Sequence, residues 1–139
     1  MVGKRALARL AAILVFVSFG VSMLASQTAN QTASEFYVKY RATFDKAKAV
    51  EELLPYMSKE MKAKVEETPA PERAKMFEMI KMMSKMSNMK VVKETKNEQG
   101  VMLSVEAVGE DRGKMTGQIQ IVKEDGAWKM GRESWSSKG

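Results

Sequence analysis

The stretch VMLSVEAVGEDRGKMTGQIQIVKEDGAWKM, residues 101–130, alternates apolar and polar side chains and is broken twice by glycine-bearing turns. Val101, Leu103, Val105 and Ala107 share one face, with Ser104 and Glu106 opposite; Met115, Gly117, Ile119 and Ile121 repeat the pattern against Lys114, Thr116, Gln118 and Gln120. Successive side chains of a pleated strand point to opposite faces, so a period of two predicts half-buried antiparallel strands. Residues 109–113, GEDRG, supply a glycine-flanked turn, and Asp125-Gly126 supplies a two-residue hairpin. Pairing Gly109 with Gly113 sets Ala107 opposite Met115, Val105 opposite Gly117 and Leu103 opposite Ile119, while the second turn sets Met130 opposite Ile121. Every pair falls on the apolar face. With MKVVKETK, residues 89–96, in front, the run predicts a four-stranded meander.

The last strand, AWKMGRESW at 127–135, breaks phase. Trp128 and Met130 lie on the apolar face, but unbroken alternation then buries Arg132 and exposes Trp135. A bulge at Gly131 turns Glu133 and Trp135 inward; without it, Trp135 packs on the outer face near the chain end.

Upstream the period lengthens to 3.6. Thr32 and Glu35 have capping-box spacing, and Phe36, Tyr40, Phe44 and Ala47 recur every three or four residues, which predicts a helix. Pro55 interrupts the pattern. A second helix follows from Ser58 to about Glu67, with Met57, Met61 and Val65 on one side, and Pro69 and Pro71 suit the first turn of a third, from about Pro71 to Ser87.

That third segment contains KMFEMIKMMSKMSNM, residues 75–89, with six of the chain's 13 methionines. As a helix it spreads Met76, Phe77, Met79, Ile80, Met82, Met83 and Met86 over roughly 220° of its circumference, more than the ~100° that one covered face needs. Cover by both the sheet and another helix is the expectation, with Met79 and Met83 as packing residues. The alternative is Cu(I) binding through the 76–89 methionines, since thioethers are soft ligands and recur here at three-residue steps.

Residues 1–25 carry Lys4, Arg5 and Arg9, then the apolar run LAAILVFVSFGVSML, then small and polar residues, the layout of a secretory signal peptide. Fifteen apolar residues fall short of the about 20 that a membrane span needs. The expected organisation is therefore a cleaved leader at 1–25, a flexible mature N-terminus at 26–33 and one domain at 34–136, secreted or periplasmic, with no stable membrane span once the leader is gone. Leaving out the three leader cations lowers 23 basic residues to 20 against 17 acidic ones, a net charge of +3 rather than +6. Acidic and basic residues alternate along the helices, unlike the clustered cationic face that nucleic acid selects. The chain has no cysteine and no histidine, which removes thiol nucleophiles, histidine-based triads, Cys/His zinc sites and a lipoprotein anchor. VGEDRGK lacks the glycine spacing of a phosphate-binding loop.

Helices followed by an antiparallel sheet that ends in VKEDGAWKM, residues 122–130, resemble the nuclear transport factor 2-like (cystatin-like cone) superfamily, in particular its small secreted or lipoprotein-type domains. The likeness spans about residues 33–135 and is carried by Asp125-Gly126-Ala127-Trp128-Lys129. It implies an α+β fold in which N-terminal helices pack on a curved, cone-like four-stranded antiparallel meander. Enzymes of that superfamily place Asp, Tyr or His inside the cone, and only Glu133 and Tyr40 are candidates here. The expected function is non-enzymatic binding of a small apolar ligand or a protein partner through Tyr40, Phe44, Met79, Met83, Trp128 and Glu133, with no catalytic residue, metal or cofactor. A cone enzyme using Glu133 is the further alternative; otherwise Tyr37 and Tyr40 are core-edge aromatics and Glu133 a surface or strand-end charge.

Overall fold

Thr32 starts the first helix as its spacing predicts: its hydroxyl accepts from the Glu35 N–H at 3.1 Å, and the Glu35 carboxylate accepts from the Thr32 N–H at 3.3 Å. Two otherwise orphaned donors are satisfied, worth about 1 kcal/mol for such a cap. The computed structural model describes residues 31–137, so the predicted leader and most of the 26–33 segment lie outside the described residues. Helix α1 spans Ala33–Lys46 and buries Phe36, Tyr37, Tyr40, Arg41 and Phe44 along one stripe. A 3₁₀ helix, Val50–Tyr56, contains Pro55 and buries Leu53. Helix α2, Lys59–Glu67, is capped by the Ser58 hydroxyl, which accepts from the Met61 N–H at 3.2 Å. Helix α3, Ala70–Met83, begins at Pro69 and Pro71, where a missing N–H costs nothing.

Four strands follow: β1 Met86–Asn97, β2 Gly100–Gly109, β3 Gly113–Glu124 and β4 Ala127–Ser137. They pair antiparallel in the order β1-β2-β3-β4, giving an α+β fold with N-terminal helices on a curved meander. The β2–β3 register is the one that the apolar alternation dictates, from Gly109 opposite Gly113 to Leu103 opposite Ile119. Asp125 and Gly126 take φ of 52° and 79°, the left-handed pair of a type I′ hairpin. Ile121 faces Met130, but Gln120 faces Arg132, so Gly131 is the extra residue of a bulge. The phase of β4 flips there, and Glu133 and Trp135 turn inward opposite Ile119 and Gly117. A Cβ on Gly117 would lie 2.8 Å from the Trp135 ring, so only glycine lets the indole cross at that height.

Val101, Leu103, Val105, Ile119, Ile121 and Met130 form the inner face of the sheet and meet the aromatic stripe of α1, with Leu53 and Met57 closing one end. Each fully buried side chain of this kind contributes about 1.5–3 kcal/mol. Side chains fill the space between α1 and the sheet: Tyr37, Leu103, Val105, Ile119, Ile121 and Met130 have no exposed surface. Residues after the 3₁₀ helix also cover part of the β4 edge, through a parallel bridge of Met57 to Met130 and a 2.9 Å bond from the Ser58 N–H to the Met130 carbonyl. Among the described residues, no helix is long and apolar enough to cross a membrane.

Two expectations are corrected. The third helix ends at Met83, not Ser87, and Met86 and Met89 belong to β1. Met86 pairs with Gly109 and the Lys85 carbonyl accepts from the Glu110 N–H, which draws the chain into the sheet. Nor is α3 covered on two sides. Only Phe77 is buried, edge-on to Phe44 at 5.8 Å, and Met79 and Met83 are exposed rather than packed in the core. The inner face is already occupied by α1 and the 3₁₀ helix, so α3 docks along a narrow line marked by Arg73, Phe77 and Lys81. Arg73 reaches Glu51 at 3.0 Å, and Lys81 donates to the Ala47 and Asp45 carbonyls.

Candidate functional site

Tyr37, Tyr40, Arg41 and Phe44 stand on successive turns of α1, and the Gly131 bulge brings Glu133 beneath them. The Tyr37 hydroxyl donates to Glu133 Oε2 at 2.8 Å, and Arg41 Nη1 lies 3.7 Å from Glu133 Oε1. Arg41 Nη2 donates to the Ser84 carbonyl at 3.1 Å and lies 3.7 Å from Asp45 Oδ1, while the guanidinium stands 4.6 Å from the Phe44 ring centre. Arg41 is buried, and its Nε and Nη1 make no hydrogen bond; the buried Trp135 Nε1 is in the same condition. One cluster thus ties α1, the last strand and the turn after α3. Glu133 is neither a surface nor a strand-end charge, and Tyr37 lies inside the core rather than at its edge.

Burial pushes the Tyr37 phenol far above the ordinary tyrosine range, and the adjacent Glu133 carboxylate adds to this against the opposing pull of Arg41. Tyr40 is raised as well, chiefly by burial and then by Glu133. A phenol held so firmly protonated donates a hydrogen bond but does not release a proton near neutrality. Four depressions are lined by other residues: one beside Asn88 and Lys114, one beside Glu60 and Arg132, and two beside Lys85 and Met86. The cluster is placed to clamp elements together.

The six residues expected to bind a ligand fall in three places. Glu133 is the acceptor of the clamp, and Tyr40 and Phe44 are its internal neighbours. Trp128 lies apart at the margin of the sheet, half-buried rather than in the core, opposite Lys123, whose Nζ is 4.9 Å from the indole centre. Met79 and Met83 are on the outer side of α3. Tyr37 and Arg41 escaped the sequence pattern as site residues, although their i, i+4 spacing puts both on the stripe of Phe36, Tyr40 and Phe44.

On α3, Met76, Met79, Ile80, Met82 and Met83 are 48%, 55%, 45%, 73% and 55% exposed. Ile80, nearest to Phe77 around the helix, is the least exposed of the five, and Met82 the most. The face leads into a depression of about 400 Å³ between the C-terminal ends of α1 and α3, lined by Phe44, Asp45, Lys81, Met82, Lys85 and Met86 among others. Comparison with protein-family models, curated proteins and solved structures returns no match, so function rests on this geometry.

Proposed function

We propose that this chain is an exported, non-enzymatic binding domain that docks a protein partner through the methionine face of α3. The observation that carries the reading is the exposure of five large apolar side chains on one helix, because soluble domains seldom leave such a contiguous patch without use. Methionine suits the role, since its unbranched thioether repacks against different shapes. The side chains that fill the interior support a partner on the surface over a small apolar ligand in the cone. The helix-then-meander order supports the likeness to the nuclear transport factor 2-like domains, and the layout of residues 1–25 supports a secreted or periplasmic address.

Charge narrows the partner. Residues 70–90 hold five cations, Arg73, Lys75, Lys81, Lys85 and Lys90, against Glu72 and Glu78. Lys81 and Lys85 line the depression at the end of the face. The matching occupant is an amphipathic segment with an apolar stripe flanked by carboxylates, laid along α3 as one helix on another. A synthetic helix of about 14 residues with a leucine stripe and glutamate flanks, added to protein labelled at the methionine methyls, tests this. Saturable shifts confined to Met76, Met79, Met82 and Met83 are expected, with at least about tenfold weaker binding for lysine flanks. Absence of saturation up to about 1 mM, or equal binding of both peptides, refutes it.

A further inference from the structure

Docking makes use of the flexible apolar surface of methionine but not of its sulfur, which leucine or isoleucine would lack. What methionine adds is sulfur. The chain contains no cysteine and no histidine, so the thioethers are its only soft donors. We propose that Met76, Met79 and Met83 form a surface site for Cu(I).

The helix supplies the convergence. At about 100° per residue these three side chains fall within about 60° of the circumference of α3. Residues three and four apart have Cβ atoms about 5–6 Å from each other, and each thioether swings on three rotatable bonds. Met79 is the middle member, with Met76 one turn before it and Met83 one turn after. All three are about half exposed, so their sulfurs can turn toward a common point without leaving a packed core. Met82, three residues from Met79 and the most exposed of the group, is placed to enter as an additional ligand.

Cu(I) is a monovalent, soft, closed-shell ion that accepts neutral thioether ligands, whereas Mg²⁺ and Ca²⁺ require oxygen ligands. Among the described residues no group of three Asp or Glu side chains is disposed to hold such a hard cation. Glu72 lies one turn before Met76 on the same stripe and places a negative charge beside the site. Lys81, on the opposite side, is held by the Asp45 and Ala47 carbonyls. The ion enters and leaves as Cu(I), with no change of oxidation state.

The metal site goes beyond docking and does not depend on it. Leucine in place of the three methionines keeps the apolar area and removes only the sulfurs. The full chain is titrated with Cu(I) under anaerobic, reducing conditions against a chromogenic bidentate Cu(I) chelator. One equivalent bound with Kd below about 1 μM is expected, with sulfur in the first shell by X-ray absorption. Met76→Leu, Met79→Leu and Met83→Leu combined should weaken binding by at least about 100-fold while circular dichroism stays unchanged. Failure of the wild type to compete for Cu(I), a shell of nitrogen and oxygen only, or equal affinity in the triple variant overturns the site. The acidic peptide, labelled with a fluorophore and followed by its anisotropy on the same pair of proteins, separates the two proposals. Docking survives the leucine changes and the metal does not, while Cu(I) binding without peptide binding sinks docking alone.

Discussion

Removing the carboxylate of Glu133 should cost far more than removing a strand-end charge. In Glu133→Ala, Tyr37 keeps a fully buried hydroxyl without its acceptor and the buried Arg41 loses its inward counter-charge. Asp45 remains at 3.7 Å, but its side chain is 65% exposed and holds the guanidinium through screened solvent. Breaking a buried pair costs about 3–5 kcal/mol; Glu133 retains 19% exposure, which places the expectation near the lower end, about 3 kcal/mol. Glu133→Gln keeps an acceptor for Tyr37 and should cost about 1–2 kcal/mol. Tyr37→Phe removes a charge-assisted hydrogen bond, for about 1.5–3 kcal/mol. Urea unfolding of both single variants and the Tyr37→Phe/Glu133→Ala double variant then gives the coupling, expected at about 1–2 kcal/mol. A cost below about 1 kcal/mol for Glu133→Ala, or coupling below about 0.5 kcal/mol, refutes the clamp.

Alkali should destabilise the domain through Tyr37 and Tyr40. Both folded-state pKa values are raised above the unfolded value near 10, so the stabilisation is complete below that pH and is lost as pH rises beyond it. The unfolding free energy should fall above pH 10 by up to about 2.7 kcal/mol per pH unit from the two groups, and Tyr37→Phe should roughly halve that slope in urea titrations; an unaltered slope refutes it. Gly117→Ala forces a Cβ to 2.8 Å from the Trp135 ring and should cost about 1–3 kcal/mol, with much of the loss recovered when Trp135→Leu is added. If export holds, N-terminal sequencing of the secreted protein should begin between Met23 and Asn30; recovery of the intact chain from the membrane refutes cleavage.

The sheet was legible because strand pairing leaves few choices. Once Gly109, Gly113 and the Asp125-Gly126 turn are placed, a slip of one residue exposes Leu103 and Ile119, and so the register from 101 to 130 follows from the alternation alone. The inward turn of Glu133 was also visible as one of two outcomes, because Gly131 is the residue at which β4 can change phase. Helix α3 was harder. An apolar arc states how much surface can be buried, not how much partner surface exists, and α1 with the 3₁₀ helix had already taken the inner face. Its end at Met83 depended on a strand pairing at Met86, a long-range event that local periodicity does not encode. Trp128 fell short of the core for a similar reason: it follows the hairpin directly, where the inner face runs out opposite Lys123. The clamp was half legible, since Tyr37 and Arg41 share the stripe of α1, but their partner lies 96 residues beyond Tyr37.

That separation sets an order of assembly. Strands β2, β3 and β4 are joined by short turns and can zip in sequence, each on the one before, with little loop-closure entropy. Helix α1, the earliest element among the described residues, finds the acceptor for Tyr37 and the methionine ceiling of its core only on β4. Until Met130 and Glu133 have emerged, its aromatic stripe has no finished surface to settle on, and a chain held at that stage stays open. The proposed export calls for a chain of that kind, and the topology supplies the delay.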